Sequence, residues 1–329
     1  VARNHALDAL RRERTAERAP HDADDSAPEP QPALPGELHD DELRMFFACC
    51  DERLSSQERL VLSLKLLCGF GTREIAARLF ISDANVQKCL ERGRNHLRET
   101  WSSRALEDVL SPTAATWPER LESVRGVIYL LFNEGYCSQL NDEPIRRDLC
   151  DEALRLARIL VEHPVTATPE SWALLALLEL HSARLDARIS GDGGLLLLEE
   201  QDRSRWDHVG IARGLHCLFR AGEGDTFSRY HGEAAVLAEH CIAKSYAETR
   251  WDEIVELYEL LEARQPSPYH TLNRAIALAE WKGPEAGLAL LDATKPPSWL
   301  AGFYLWDATM GELLRRAGRF DDAEPRLAR

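Results

Sequence analysis

Between Ser82 and Arg94 the chain sets Ser82, Asp83, Asn85, Gln87, Lys88, Glu91, Arg92 and Arg94 around two apolar residues, Val86 and Leu90. Apolar residues at i and i+4 share one face of a helix and point inward together. The polar residues between them then project outward. Amide side chains can bond base edges, and Lys or Arg can reach guanine edges or phosphates. The chemistry on offer is nucleic-acid recognition in a major groove. Asn85, Gln87 and Lys88 suit base readout, and Lys88, Arg92 and Arg94 suit phosphate contacts.

A reading helix needs a second helix to hold it, and the preceding residues supply one. In GTREIAARLF, Thr72 reads as a cap and Glu74 suits the positive end of the helix dipole. Ile75, Ala76 and Leu79 form an apolar face, with Ala76 small enough for a crossing helix to approach. Ile81 plugs the turn, and Ser82 caps the second helix. Arg73, in the first turn, joins the candidate DNA contacts. Phe80 occupies a turn position often held by glycine. The pattern predicts a helix-turn-helix, with a plain helical hairpin as the competing reading.

Two further clusters invite a chemical reading. The first holds Asp186, Arg188, Asp192, Gly193, Gly194, Glu199, Glu200, Asp202, Arg203, Arg205, Trp206 and Asp207. A calcium loop starting at Asp186 fails, because Arg188 and Ser190 stand where oxygen ligands are needed and Arg repels a cation. Spacing alone leaves a catalytic carboxylate pair open. The interleaved arginines point instead to an ion-paired corner or a docking surface. The second cluster is Asn133, Glu134, Gly135 and Tyr136, at the end of an apolar helix. There Gly135 reads as a C-terminal cap, and Asn133 or Glu134 can bond across to another helix. The chain contains no phosphate-cradling glycine loop, no HExxH and no nucleophile elbow. No enzyme activity, metal or cofactor is expected.

The formal charge of −15 is unevenly distributed. Residues 56–104 carry nine bases against five acids, a local net of +4, which leaves −19 for the rest. A basic module on an acidic body can bind phosphates locally while the body repels non-specific contact. The eight cysteines form no CxxC pair and no zinc-ligand spacing with histidine. Most stand at apolar helical positions, as reduced thiols of a cytoplasmic protein would. The adjacent Cys49 and Cys50 leave oxidant sensing as a minor alternative. No apolar run approaches the ~20 residues that span a bilayer, and no membrane partner is expected.

The chain divides by pattern. Residues 1–14 form a basic amphipathic helix opening on Val1, which suggests that an N-terminal part precedes it. Residues 15–40 carry five prolines and no apolar period, as an acidic linker would. Residues 41–106 are helical throughout, including a Ser-capped segment SSQERLVLSLKLLC. Two prolines mark a boundary between 111 and 118. Residues 113–329 are again helical, with small residues and turn glycines at 267–293 and 305–323 that fit tetratricopeptide-like hairpins. SGDGGLLLL, from Ser190, predicts one short β-hairpin, and Asp202 or Ser204 is placed to cap the helix after it. The fold class expected is all-α: a four-helix helix-turn-helix domain followed by an α-helical repeat domain.

EIAARLFISDANVQKCLERGR resembles region 4 of a bacterial RNA polymerase sigma factor of the extracytoplasmic-function type. YLLFNEGY, DARISGDGGLLLLEEQDRSRWD and SPYHTLNRAIALAE resemble the hallmarks of a group carrying a long C-terminal helical extension. Residues 1–14, with Asn4, Asp8 and Arg11, resemble the last helix of region 2. The resemblance implies that residues 83–94 enter the major groove of the promoter minus-35 element while core RNA polymerase is the protein partner. It makes Asn133, Glu134, Tyr136, Asp186, Asp192, Gly193, Gly194, Glu199, Asp202, Arg203 and Trp206 a regulatory motif. The extension would control activity, bound by a regulatory protein or ligand. Two other readings stay open: a helix-turn-helix regulator with a helical sensor, and a tetratricopeptide-like scaffold.

Overall fold

In the computed structural model, residues 41–103, 117–138, 144–191, 193–294 and 304–328 are described. The expected helix at 1–14, the linker at 15–40, the residues between 104 and 116 and Asp192 lie outside the described residues.

The fold is all-α. The first four helices are α1 (Asp41–Cys49), α2 (Ser56–Leu66), α3 (Thr72–Leu79) and α4 (Asp83–Ser103). Helix α2 starts where the sequence predicts. The Ser55 hydroxyl accepts from the Glu58 amide at 3.3 Å, and the Glu58 carboxylate accepts from the Ser55 amide at 3.0 Å. This reciprocal box satisfies two amides that no helical carbonyl can reach. Helix α3 is capped differently from expectation. Gly71, not Thr72, precedes it, and the Glu74 carboxylate accepts from the Gly71 amide.

Ten more helices follow among the described residues: α5 (Trp117–Tyr136), α6 (Arg147–Glu162), α7 (Pro169–Ser182), α8 (His208–Ala221), α9 (Arg229–Ile242), α10 (Trp251–Arg264), α11 (Pro268–Lys282), α12 (Pro284–Ala293), α13 (Tyr304–Arg316) and α14 (Phe320–Leu327). Neighbours in sequence pack on one another, α7 on α8, α11 on α12 and α13 on α14. No described helix is long and apolar enough to cross a membrane. The expected β-hairpin shrinks to a single antiparallel bridge, Ile189 to Leu195, tightened by the Ser190 amide donating to the Gly194 carbonyl at 2.9 Å. The run after it turns into short 3-10 segments, at Leu198–Glu200 and Arg203–Arg205. With Leu195 and Leu197 exposed, no apolar face is buried that would reward extending a ladder. Asp202 caps only the second of these segments, and Asp207 caps α8 through the Val209 amide at 3.0 Å.

One apolar core runs without interruption from the helix-turn-helix into the extension. It includes Phe46, Val61, Ile75, Val86 and Leu90, then Leu121, Val124, Ile128 and Phe132, and continues to Ile254. A second cluster, with Ala275, Leu288, Trp306 and Leu313, joins the last four helices. Polar contacts reinforce the first junction. Arg59, buried in α2, reaches Glu119 of α5 at 2.5 Å, and Arg120 of α5 reaches Glu52 at 2.6 Å and Asp51 at 3.6 Å. Burial alone would raise the Asp51 carboxyl, but hydrogen bonds from Arg53 and the Arg120 charge outweigh it and hold the group well below the usual carboxylate range.

Gly135 departs from its expected role. It lies inside α5 rather than capping it, and a Cβ there would sit 2.7 Å from the Arg146 carbonyl and 2.8 Å from the Cys150 amide. Only glycine allows the start of α6 to lie this close against the end of α5.

Candidate nucleic-acid interface and its clasp

Helix α4 is positioned by its apolar side. Val86, Cys89 and Leu90 are buried, and Leu97 continues the same stripe further on. Gln87, Lys88, Glu91, Arg92 and Arg94 are exposed, so five of the expected contact residues share the solvent side of one helix. Ser82 and Asp83 are exposed at its start, where the Ser82 hydroxyl accepts from the Asn85 amide at 3.3 Å. The open amides of that first turn suit a phosphate as well as the Asp83 carboxylate does. Asn85 is half-buried rather than fully outward. Arg73 is exposed on α3. Gln87 bonds the Thr72 hydroxyl at 3.2 Å, tying the two helices together, and Arg92 approaches Glu58 at 3.5 Å. Lys88, Glu91, Arg92, Arg94 and Arg73 are thus exposed, with Gln87 and Arg92 held by local partners.

The turn between α3 and α4 holds the one non-glycine residue with positive φ among the described residues, Phe80, at φ 53°. The Ile81 amide donates to the Ala76 carbonyl at 3.0 Å, closing a Schellman turn that normally favours glycine. A phenyl group at this strained position needs a reason, and its neighbour offers one. The ring lies 6.4 Å from that of Tyr269, on α11.

Tyr269 belongs to a clasp that the sequence did not reveal. Arg78, also on α3, forms an ion pair with Glu134 of α5 and donates to the Cys137 carbonyl at 3.1 Å. Glu134 is buried and accepts from the Ser138 hydroxyl at 2.7 Å as well. Arg146, just before α6, lies 3.8 Å from Glu74. The extension therefore holds the helix-turn-helix by its first helix and its turn, and leaves the outward face of α4 uncovered. Arg78 and Glu134 stand 56 positions apart, so no local spacing could have paired them.

The regulatory-motif residues are not brought to one point. Asn133 is half-buried on α5, and Glu134 joins the clasp. Tyr136 carries the Arg188 guanidinium 3.6 Å above its ring, and its carbonyl accepts from Arg188 at 2.6 Å. Asp186 pairs with Arg147 at the surface, Glu199 is exposed, and Asp202 accepts from the Ser204 amide and hydroxyl. Those two bonds hold its carboxyl below the usual range. Gly193, at φ 90°, makes the turn beside Gly194. Trp206 is buried under two guanidinium groups, Arg203 at 4.6 Å and Arg184 at 5.2 Å. Asp186, Glu199 and Asp202 face water, Arg188 and Arg203 are half-buried, and Trp206 is buried. The arrangement resembles neither a calcium loop nor a carboxylate pair, and among the described residues no cluster could hold a metal ion.

No disulfide joins any of the eight cysteines, and six are buried. Burial pushes the Cys49 and Cys50 thiols up to about 12, which withdraws the thiolate that oxidant sensing requires.

Residues 47–97 match the family model "Sigma-70, region 4", a span that covers α2, α3 and most of α4. The chain belongs to the sigma-70 family. Residues 120–222 match a second model, "Family of unknown function (DUF6596)", which begins within α5 and ends at the close of α8. The uncharacterized protein R00370 of Rhizobium meliloti (strain 1021) is 35% identical to this sigma-70 chain, over 98% of the chain and 76% of the relative, so the two are members of one family. No solved structure matches the chain.

Proposed function

We propose that this chain is an RNA polymerase sigma factor of the extracytoplasmic-function type whose α4 recognises the promoter minus-35 element in the major groove. The observation that carries the reading is the uncovered row of Gln87, Lys88, Glu91, Arg92 and Arg94 on the second helix of a region 4 domain. Lys88 and Gln87 read base edges, while Arg92, Arg94, Arg73 and the first amides of α4 hold phosphates. Core RNA polymerase is the partner, and the chain directs initiation in the cytoplasm without catalysis of its own. The helical extension, with its tetratricopeptide-like hairpins, controls activity through the Arg78–Glu134 and Phe80–Tyr269 contacts. Neither contact engages the exposed residues Lys88, Glu91, Arg92 and Arg94. Control therefore acts by holding or releasing the orientation of α3 and α4, not by covering the basic residues.

The test is a footprint of the full chain on promoter DNA with and without core polymerase, across a salt series. Protection of the minus-35 element only with polymerase, falling steeply with salt, supports the reading. Equal protection without polymerase over two half-sites would make the chain a regulator. Binding that ignores salt would leave a scaffold.

A further inference from the structure

A cavity of about 680 Å³ opens within the extension, bounded by α5, α7, α9, α10 and α11. Its volume falls in the range of small-molecule sites. Leu177, Val236 and Leu237 give it apolar walls; His181, Arg184 and His240 form one polar corner, and Arg229, Glu233 and His270 form a second in which the carboxylate answers the cation.

The first corner carries positive charge without an answering negative one. Arg184 is 6% exposed, and its guanidinium donates one hydrogen bond, to the Gln201 side-chain oxygen at 3.3 Å, with its Nε buried and unpartnered. The Nδ1 atoms of His181 and His240 are also buried without partners. Arg203, which shares Trp206 with Arg184, donates from Nη1 to the His240 and Ala243 carbonyls, at 2.6 and 2.8 Å, and its Nη2 is buried without a partner. Arg188 is engaged by the Tyr136 carbonyl and ring. Among the described residues, no carboxylate lies within ion-pair distance of Arg184, Arg188 or Arg203. The one carboxylate on the cavity wall, Glu233, is engaged by the Tyr129 hydroxyl at 3.0 Å and approached by His270 at 4.0 Å. Burial and the Arg184 charge also keep both histidines neutral, so each ring retains one N–H that can donate and one lone pair. A buried guanidinium is always charged and costs several kcal/mol unless an anion answers it.

We propose that this cavity binds a small organic anion, a carboxylate or phosphate on an apolar body, with the oxyanion at Arg184, His181 and His240 and the body against Leu177 and Leu237. The site deepens the proposed control by the extension and rests on that reading only for its effect on DNA. Tyr136 and Tyr269 both line the cavity, and each adjoins one arm of the clasp on the helix-turn-helix. An occupant is therefore felt at α3 and its turn.

The experiment is calorimetry and thermal shift on the full chain, with inorganic phosphate, phenyl phosphate and benzoate as anions and benzyl alcohol as the neutral comparison. Phenyl phosphate or benzoate should bind saturably and raise Tm, and benzyl alcohol should not. Arg184→Gln should weaken binding by about 10-fold or more, whereas Arg205→Gln, at an exposed arginine of the same segment, should not. If Arg184→Gln does not fold, the anion-versus-neutral comparison on the unaltered chain still decides. No response to any anion up to ~10 mM, equal response to benzyl alcohol, or unchanged binding by a folded Arg184→Gln would overturn the site. Anion binding that leaves the minus-35 footprint unchanged keeps the site and overturns its part in control. A failed footprint with intact anion binding overturns the sigma reading alone.

Discussion

Removing one side of the Arg78–Glu134 pair tests whether the extension grips the helix-turn-helix. The Glu134 side chain is 4% exposed and that of Arg78 15%, so both charges are largely withdrawn from water. Breaking a buried pair from one side costs about 3–5 kcal/mol, mostly the penalty on the abandoned charge. Arg78 keeps its bond to the Cys137 carbonyl and a little solvent, which argues for the low end, about 3 kcal/mol for Glu134→Gln. Arg78→Met should cost a similar amount, because it abandons the more deeply buried carboxylate. The double variant removes both charges, so its cost should fall short of the sum by about 2 kcal/mol. Urea unfolding of the four proteins measures this coupling. Additivity within about 0.5 kcal/mol would refute the clasp.

Three further outcomes follow from the same structure. Gly135→Ala should destabilise by about 1–3 kcal/mol, because its methyl group meets backbone atoms of Arg146 and Cys150 that cannot move aside cheaply; an unchanged urea midpoint would mean that α6 does not lie this close. Burial and the Arg184 and Arg203 charges pull His240 down to about 3, below its unfolded value of about 6.5, so stability is full above pH ~6.5 and is lost as pH falls toward 3. Thermal unfolding of His240→Phe across that window should show a shallower acid loss, and an identical slope would contradict the buried neutral ring. Lys88→Ala and Arg94→Ala, in the full chain with core polymerase, should each weaken promoter binding. A phosphate contact lowers the log–log salt slope by about 0.9, whereas a base contact costs about 1–3 kcal/mol on the cognate sequence only.

The helix-turn-helix was legible because its signals are local. Val86 and Leu90 lie one turn apart, Ser82 and Ser55 cap the helices they precede, and the exposed residues of α4 occupy the remaining positions of a 3.6-residue period. The all-α class followed from the same periodicity. Local pattern also misled where several local structures share one signature. Gly135 near a helix end looks like a cap whether it caps or lets another helix approach. Gly-Asp-Gly-Gly before leucines looks like a hairpin, although an unburied apolar run gains nothing from extended pairing.

The sequence by itself determined the helices, their apolar faces and the residues that α4 leaves exposed, because those properties depend on neighbours three or four positions away. Tertiary structure alone decided which charges meet. Arg78 reads as an ordinary surface arginine until α5 delivers Glu134 to it, and Phe80 reads as a misplaced turn residue until α11 delivers Tyr269. The same holds for the cavity. Acids and arginines alternate from Arg184 to Asp207, and only folding turns Asp186, Glu199 and Asp202 to water and leaves Arg184 inside without a carboxylate among the described residues, because the cost of burying a charge depends on what the whole chain packs around it.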